Sequence, residues 1–238
     1  MRAKSIANSI MNELYDRTGR LVGEEGLEKL KNAKVLVVGL GGVGGYIAEA
    51  LARAGIGCLG LLDFDVVDPS NLNRQIIATT EKIGQKKTEV LKERILSINP
   101  DCEVISFDFR LDSSKLTELN ITSWSYIADA IDDTEAKIAL IKACFDAKVP
   151  IISSMGTGNK MDPFSYKIAP IEKTDTDPLA RALRKKLKEL GVKNIPVLYS
   201  SEEPKAHVES GNPIPSISYM PAVAGLEIAS YIIKNILN

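Results

Sequence analysis

Apolar positions recur along this chain in two alternating rhythms. Short continuous runs at Lys34 to Gly39, Cys58 to Asp63, Glu103 to Phe107, Tyr126 to Asp129 and Pro150 to Ser153 have the character of buried strands. Between them, apolar residues fall at helical spacing. Val43, Ile47, Ala50, Leu51 and Ala54 mark one helix; Val90, Leu91, Ile95 and Ile98 mark another, stopped by Asn99-Pro100. Thr134 to Lys148 reads as a third helix, with Asp133 as its N-cap and Cys144 on its apolar side. Strand–helix alternation predicts an α/β fold: a Rossmann-like, mostly parallel sheet flanked by helices, with right-handed crossovers.

After about Met155 the rhythm loosens into an irregular C-terminal extension. The stretch 156–163 reads as a loop, Ser165 to Ile168 as a strand, and Asp177 to Leu190 as a helix with Pro178 at a tolerated early position. Leu179, Leu183, Leu187 and Leu190 form that helix's apolar stripe. The stretch 200–215, rich in Pro, Glu, Ser and Gly, is expected to be a mobile loop or lid, and Pro221 to Leu237 a final helix packed on the sheet. There is no internal repeat and no composition break that divides the 238 residues into two domains.

Composition narrows the picture. Apolar residues make up 45 % and charged residues 26 %, as in an ordinary globular protein. Lys plus Arg number 30 against 31 Asp plus Glu, a net charge of −1. A nucleic acid is therefore gripped only by a local basic patch. Cys58, Cys102 and Cys144 are odd in number and include no Cys-x-x-Cys pair, so neither a disulfide framework nor a thiolate zinc site is expected. The first ten residues lack the apolar core of a signal peptide. Pro221 to Leu237 carries Glu227 and Lys234 and is shorter than the ~20 apolar residues a membrane span needs. A reducing, cytoplasmic location without a membrane span is the expectation.

The chemistry concentrates after the first strand. Gly39-Leu-Gly41-Gly42-Val-Gly44-Gly45 contains Gly-x-Gly-x-x-Gly between a strand and a helix. Glycines there permit a tight turn and close approach of a phosphate to a helix N-terminus. Asp63 ends the next strand 24 residues on, where a ribose-binding acid is expected. On glycines alone NAD is the favoured ligand. The next segment argues otherwise. Asp63-Phe-Asp65-Val-Val-Asp68-Pro-Ser-Asn71-Leu-Asn73-Arg74-Gln75 is followed by Gly84-Gln85-Lys86-Lys87. A nicotinamide site does not need an Arg and a Lys converging on phosphates, whereas transfer at the α-phosphate of ATP does. Arg74 forks two oxygens, Lys87 supplies a point charge, and the three aspartates are candidates for the ribose and Mg²⁺. The chain thus divides into an N-terminal helical arm (1–33), a nucleotide-binding core (34–154) and a substrate-side extension (155–238).

These motifs resemble those of the adenylylating enzymes related to ubiquitin-activating enzyme. The resemblance implies Asp63 on the ribose, and Asn71, Arg74 and Lys87 on the triphosphate. It implies Mg²⁺ on Asp132 of Asp129-Ala-Ile-Asp132-Asp133; Asp129, on the strand itself, reads as structural or turn-forming. Gly39, Gly41, Gly42, Gly44, Asp65 and Gln75 complete the nucleotide site. It further implies a homodimer, in which an N-terminal arginine reaches the γ-phosphate across the interface; Arg17 is favoured over Arg20.

The branches that serve sulfur-carrier proteins usually have paired cysteines for zinc and often a cysteine nucleophile, which this chain lacks. The start at Arg20-Leu-Val-Gly-Glu-Glu-Gly-Leu, the segment Ile151 to Pro163, Asp177-Pro-Leu-Ala-Arg-Ala-Leu-Arg-Lys-Lys-Leu-Lys and Val197-Leu-Tyr-Ser-Ser-Glu-Glu-Pro are similar to the tRNA threonylcarbamoyladenosine dehydratases. That similarity implies ATP and Mg²⁺ as cofactors, tRNA as partner, and a carboxylate activated as an acyl-adenylate and then captured within the same side chain. Some members bind a monovalent cation, Na⁺ or K⁺, near the loop matching 153–162. This extension is shorter than in some relatives and lacks their late cysteine, which leaves a sulfur-relay partner without support. The alternative is an activator of a ubiquitin-like sulfur carrier, which a partner ending in Gly-Gly would stimulate. A non-enzymatic nucleotide-binding scaffold and an NAD-dependent oxidoreductase are the remaining classes.

Arg181, Arg184, Lys185, Lys186, Lys188 and Lys193 stand against one acid, Glu189, in 13 residues. The first five are candidate phosphate contacts for tRNA; a solvated lysine-rich face is the plainer reading. His207, the single histidine, has no visible partner.

Overall fold

In the computed structural model, residues 14–206, 208 and 212–238 are described; His207 and the first thirteen residues lie outside them. Among the described residues, seven strands form one sheet: β1 (Lys34–Val38), β2 (Cys58–Leu62), β3 (Glu103–Phe107), β4 (Tyr126–Asp129), β5 (Ile151–Ser154), β6 (Tyr166–Pro170) and β7 (Pro196–Ser200). Their spatial order is β3-β2-β1-β4-β5-β7-β6. All neighbours are parallel except β6, which is antiparallel to β7. The α-helices among the described residues are α1 (Asp16–Asn32), α2 (Gly44–Ala54), α3 (Lys87–Ile98), α4 (Thr134–Ala147), α5 (Pro178–Glu189) and α6 (Tyr219–Leu237). α1 is two helical pieces joined at Gly23, where φ is 76°.

Strand alternation builds two cores from one sheet. On β1, Val35 and Val37 pack with Ile47 and Leu51 of α2, Leu91 of α3 and Ile228 of α6. Leu36 and Val38 point the other way, to Leu140 and Cys144 of α4 and Leu183 and Leu187 of α5. β2 is buried along its whole length. Gly60 is required there: a Cβ would lie 2.5 Å from the ring of Trp124, whose Nε1 donates to the Leu119 carbonyl at 2.8 Å. α6 is apolar and long enough, by length and composition, to cross a membrane. In this fold, however, its residues Met220, Ala224, Ile228 and Ile232 are wholly buried in the first core.

The extension is more regular than its sequence suggests. One strand is expected at 165–168; two are present, and β7 joins the sheet beside β5. Its short apolar run opens with Pro196, a residue tolerated only at the start or edge of a strand. α5 begins as expected, with Asp177 as N-cap accepting from the Ala180 N–H at 2.9 Å. Its stripe differs at one end: Leu190 is the C-cap and is 46 % exposed, while Ala180 takes a buried place.

From β1 the chain winds outward through β2 and β3, then returns to β4 on the other side of β1. The strand order reverses between β1 and β4, and the crevice beyond their carboxyl ends is where such sheets bind ligands.

Candidate active site

A cavity of ≈ 730 Å³ opens at that crevice. Its floor is the turn after β1. Gly39 has φ 85°, and a Cβ there would meet the Ala130 carbonyl at 2.6 Å; a Cβ on Gly44 would meet the Gly39 carbonyl at 1.7 Å. Only glycine lets the turn and the first residue of α2 approach this closely. Gly41 and Gly42 line the cavity, while Gly44 lies beneath it as a packing residue.

Asp63, at the end of β2, is buried. Its Oδ2 accepts from the Leu40 N–H at 2.7 Å and its Oδ1 from the Asp65 N–H at 2.9 Å. Burial pushes the carboxyl above its usual value, against the opposing effect of the Lys87 charge and the two amides. Val66 and Lys86 form an antiparallel bridge, and the Lys87 N–H donates to the Asp65 carbonyl at 3.1 Å. The Lys87 ammonium is thereby held 2.9 Å from Asp65 Oδ2, with the residue only 5 % exposed. Arg74 reaches the cavity from the short 3-10 turn Pro69–Asn71; its Nη1 donates to the Ser70 carbonyl at 2.7 Å and to Asn73 Oδ1 at 2.9 Å. Asn71 lines the same wall, and its Oδ1 accepts from the Asp68 N–H. Asp68 itself caps that turn and does not line the cavity. Of the three aspartates offered for ribose and metal, Asp63 and Asp65 remain.

Gln75 is buried against the cavity, and its Oε1 has no hydrogen-bond partner. An orphaned buried acceptor costs about 1–3 kcal/mol, so a donor arriving with a ligand is stabilised there. Together with the tight glycine turn and the Arg74 and Lys87 cations, this fits a nucleotide. Asp132 is exposed at the rim, and among the described residues no three acidic, His or Cys side chains cluster as a self-contained metal site. The donor set fits Mg²⁺ only as that ion is commonly held, by one or two carboxylates plus a ligand's phosphates. Asp133 caps α4 as expected, accepting from Glu135 and Ala136 N–H groups.

Sequence reasoning missed several groups. Arg110 lines the cavity, pairs with Asp133 at 2.9 Å and lies 5.5 Å from the centre of the Phe64 ring. Lys137 is wholly buried; its Nζ donates to Asp129 Oδ2 at 2.8 Å, Ser153 Oγ at 3.1 Å and the Ser154 carbonyl at 3.0 Å. Asp129 in turn accepts from the Ile131 N–H at 3.1 Å. The ends of β4 and β5 are thus tied under the cavity, which bears out a structural Asp129. The signal was available: Lys137 stands on the stripe of Leu140, Ile141 and Cys144, where a charge implies a buried partner. Lys160 and Asp177 form a second buried pair at 3.0 Å, beside β5. Pro204, Val208, Ile214 and Ser216 border this end; Asn159 Nδ2 donates to the Ala206 carbonyl at 2.7 Å and the Asn159 N–H to the Pro215 carbonyl at 2.6 Å.

Other expected residues lie elsewhere. Arg17 does not line the cavity formed by its own chain. Arg181, Lys185, Lys186 and Lys188 are exposed along α5, whose first residues Pro178 and Leu179 border the cavity. Arg184 differs from them: its Nη1 is held by the Thr174 carbonyl at 2.6 Å and Oγ1 at 2.8 Å. Cys58, Cys102 and Cys144 are buried, and burial pushes their thiols up to about 11, 12 and 12.

Fold and site together define a nucleotide-binding α/β enzyme of the adenylylating class. The model of the ThiF family matches residues 15–238, and the chain belongs to that family. It is 40 % identical to the tRNA threonylcarbamoyladenosine dehydratase of Bacillus subtilis (strain 168), over 94 % of each chain. Crystal structures of the E. coli enzyme TcdA, tRNA N6-threonylcarbamoyladenosine dehydratase, align over 95 % of this chain and 94 % of that one. The complex with AMP gives a TM-score of 0.90 at 35 % identity, and the complex with ATP gives 0.89 at 36 %. The molybdopterin-synthase adenylyltransferase of Salmonella typhimurium is 43 % identical, over 54 % of this chain and 51 % of its own length.

Proposed function

We propose that this protein is an ATP-dependent dehydratase acting on threonylcarbamoyladenosine in tRNA. The observation that carries the reading is likeness along nearly the whole length of enzymes of that name, whereas likeness to a sulfur-carrier adenylyltransferase covers about half the chain. The substrate carboxylate attacks the α-phosphorus of ATP, giving an acyl-adenylate and pyrophosphate. The carbamoyl nitrogen or oxygen of the same side chain then attacks the acyl carbon, a carbamoyl N–H gives up its proton, and AMP leaves. The nucleoside loses one water, and ATP becomes AMP and pyrophosphate. Proximity within one side chain supplies the second step, which accords with three buried thiols of raised pKa.

In this reading Gly39, Gly41 and Gly42 bring backbone to the phosphates, Asp63 and Gln75 meet the ribose and its neighbours, and Asn71, Arg74 and Lys87 bind the triphosphate. Asp132 holds Mg²⁺, which neutralises phosphate charge. The chain acts as a homodimer with Arg17 serving the partner's nucleotide, and in the cytoplasm. The test is mass spectrometry of nucleosides from tRNA bearing threonylcarbamoyladenosine, incubated with protein and ATP. Loss of one water with release of AMP is expected; an unchanged nucleoside overturns the reading.

A further inference from the structure

Among the described residues, four cationic side chains line the cavity, and three serve its nucleotide end: Arg74 and Lys87 beside the glycine turn, and Arg110 over Phe64. The fourth, Lys160, follows β5, on the other side of the switch point from β2 and β3. It is 4 % exposed, and its Nζ lies 3.0 Å from Asp177 Oδ2 and 3.1 Å from the Gly156 carbonyl. An ammonium carries three donors; the third has no acceptor among the described residues. Asp177 is itself pinned, because its other oxygen caps α5. Lys160 is therefore a fixed cation with one donor to spare, at the end of the cavity where the basic helix begins.

The dehydratase reading sets an electrostatic problem. A carboxylate must approach the α-phosphorus against the charge of the triphosphate, and the cations at the nucleotide end are committed to phosphates. We propose that Lys160 receives the substrate's carboxylate, with Asp177 as the positioning partner that holds the ammonium in place. The ligand class is an amino-acid carboxylate carried on a nucleoside, and the inference rests on the dehydratase reading.

The experiment uses an RNA stem-loop bearing N6-threonylcarbamoyladenosine and the same RNA with the threonyl carboxylate converted to its amide. The parent protein is expected to bind the acid form more tightly. In Lys160→Met, affinity for the acid form falls by on the order of tenfold or more, affinity for the amide form changes little, and the preference disappears. ATP affinity reports an intact fold. Lys160→Met leaves Asp177 without its cation, so the double variant Lys160→Met/Asp177→Asn, which keeps a capping oxygen, is measured beside it. The same loss of preference in the double variant supports the proposal. A preference that survives in Lys160→Met, or returns in the double variant, overturns it. A parent that converts the acid RNA while either variant keeps its preference sinks the Lys160 assignment alone. A parent that neither prefers nor converts the acid RNA sinks the dehydratase reading and this proposal with it.

Discussion

Arg74 and Lys87 reach the cleft already held by oxygen atoms of their own loops, the Ser70 carbonyl and Asn73 Oδ1 for one and Asp65 for the other. These contacts aim the charges before a ligand arrives, which is how preorganised cations lower a barrier. Arg74→Ala and Lys87→Ala are each expected to reduce pyrophosphate–ATP exchange by on the order of 10²–10³. The Arg74 partners are exposed, so the stability loss in Arg74→Ala stays below about 1 kcal/mol; Lys87 is buried beside Asp63, so Lys87→Ala is expected to lose more. Exchange rates and circular dichroism, measured together, check this. Near-normal exchange in folded variants would remove both residues from the triphosphate.

Between elements, the clearest joint is Glu49 on α2. It accepts from Arg53 one turn on at 2.8 Å and from both Nε and Nη2 of Arg94 on α3, at 2.6 and 3.1 Å. Burial raises its carboxyl pKa, but the two guanidinium groups outweigh burial and leave it below the usual 4.5. A pKa lowered by folding stabilises the fold above the unfolded value, and that stability is lost as pH falls through the folded value. Glu49→Gln is therefore expected to cost about 1–2 kcal/mol at pH 7, discounted for the exposed arginines, with the difference shrinking below about pH 4. Urea unfolding at both pH values tests it, and an equal difference at both would refute the ion-pair account. What the sequence reveals at this scale follows chain distance. The glycine turn and the Asp133 cap are set by neighbours a few residues away, and Asp63 by the regular length of the strand–helix–strand unit that carries it back to Leu40. The pairings of Lys137 with Ser153, Lys160 with Asp177 and Arg110 with Phe64 depend on which strands lie side by side. β7 shows the same limit, since its place beside β5 is fixed by the sheet and not by its short apolar run.

For the whole molecule, net charge near zero leaves recognition of a polyanion to local faces, and α5 presents one that starts at the cavity mouth. Arg184 is tied to Thr174 and belongs to the scaffold, so the informative reversal is Arg181→Glu, Lys185→Glu and Lys188→Glu. That triple variant is expected to bind tRNA more weakly, with a salt dependence shallower by up to about one logarithmic unit per lost phosphate contact. ATP affinity should hold, because no phosphate-facing residue of the nucleotide end changes. Binding as tight and as salt-dependent as the parent's would make α5 a solvated face.

The position of β7 and β6 outside β5 has a further consequence for how such enzymes diversify. Among the described residues no other strand lies beyond them, and the loops they carry line the cavity at Gly156 to Lys160, Asp177 to Leu179 and Ser216. Substitutions confined to this margin therefore alter the substrate side of the cleft while leaving the pairing of β1, β2, β3 and β4 untouched.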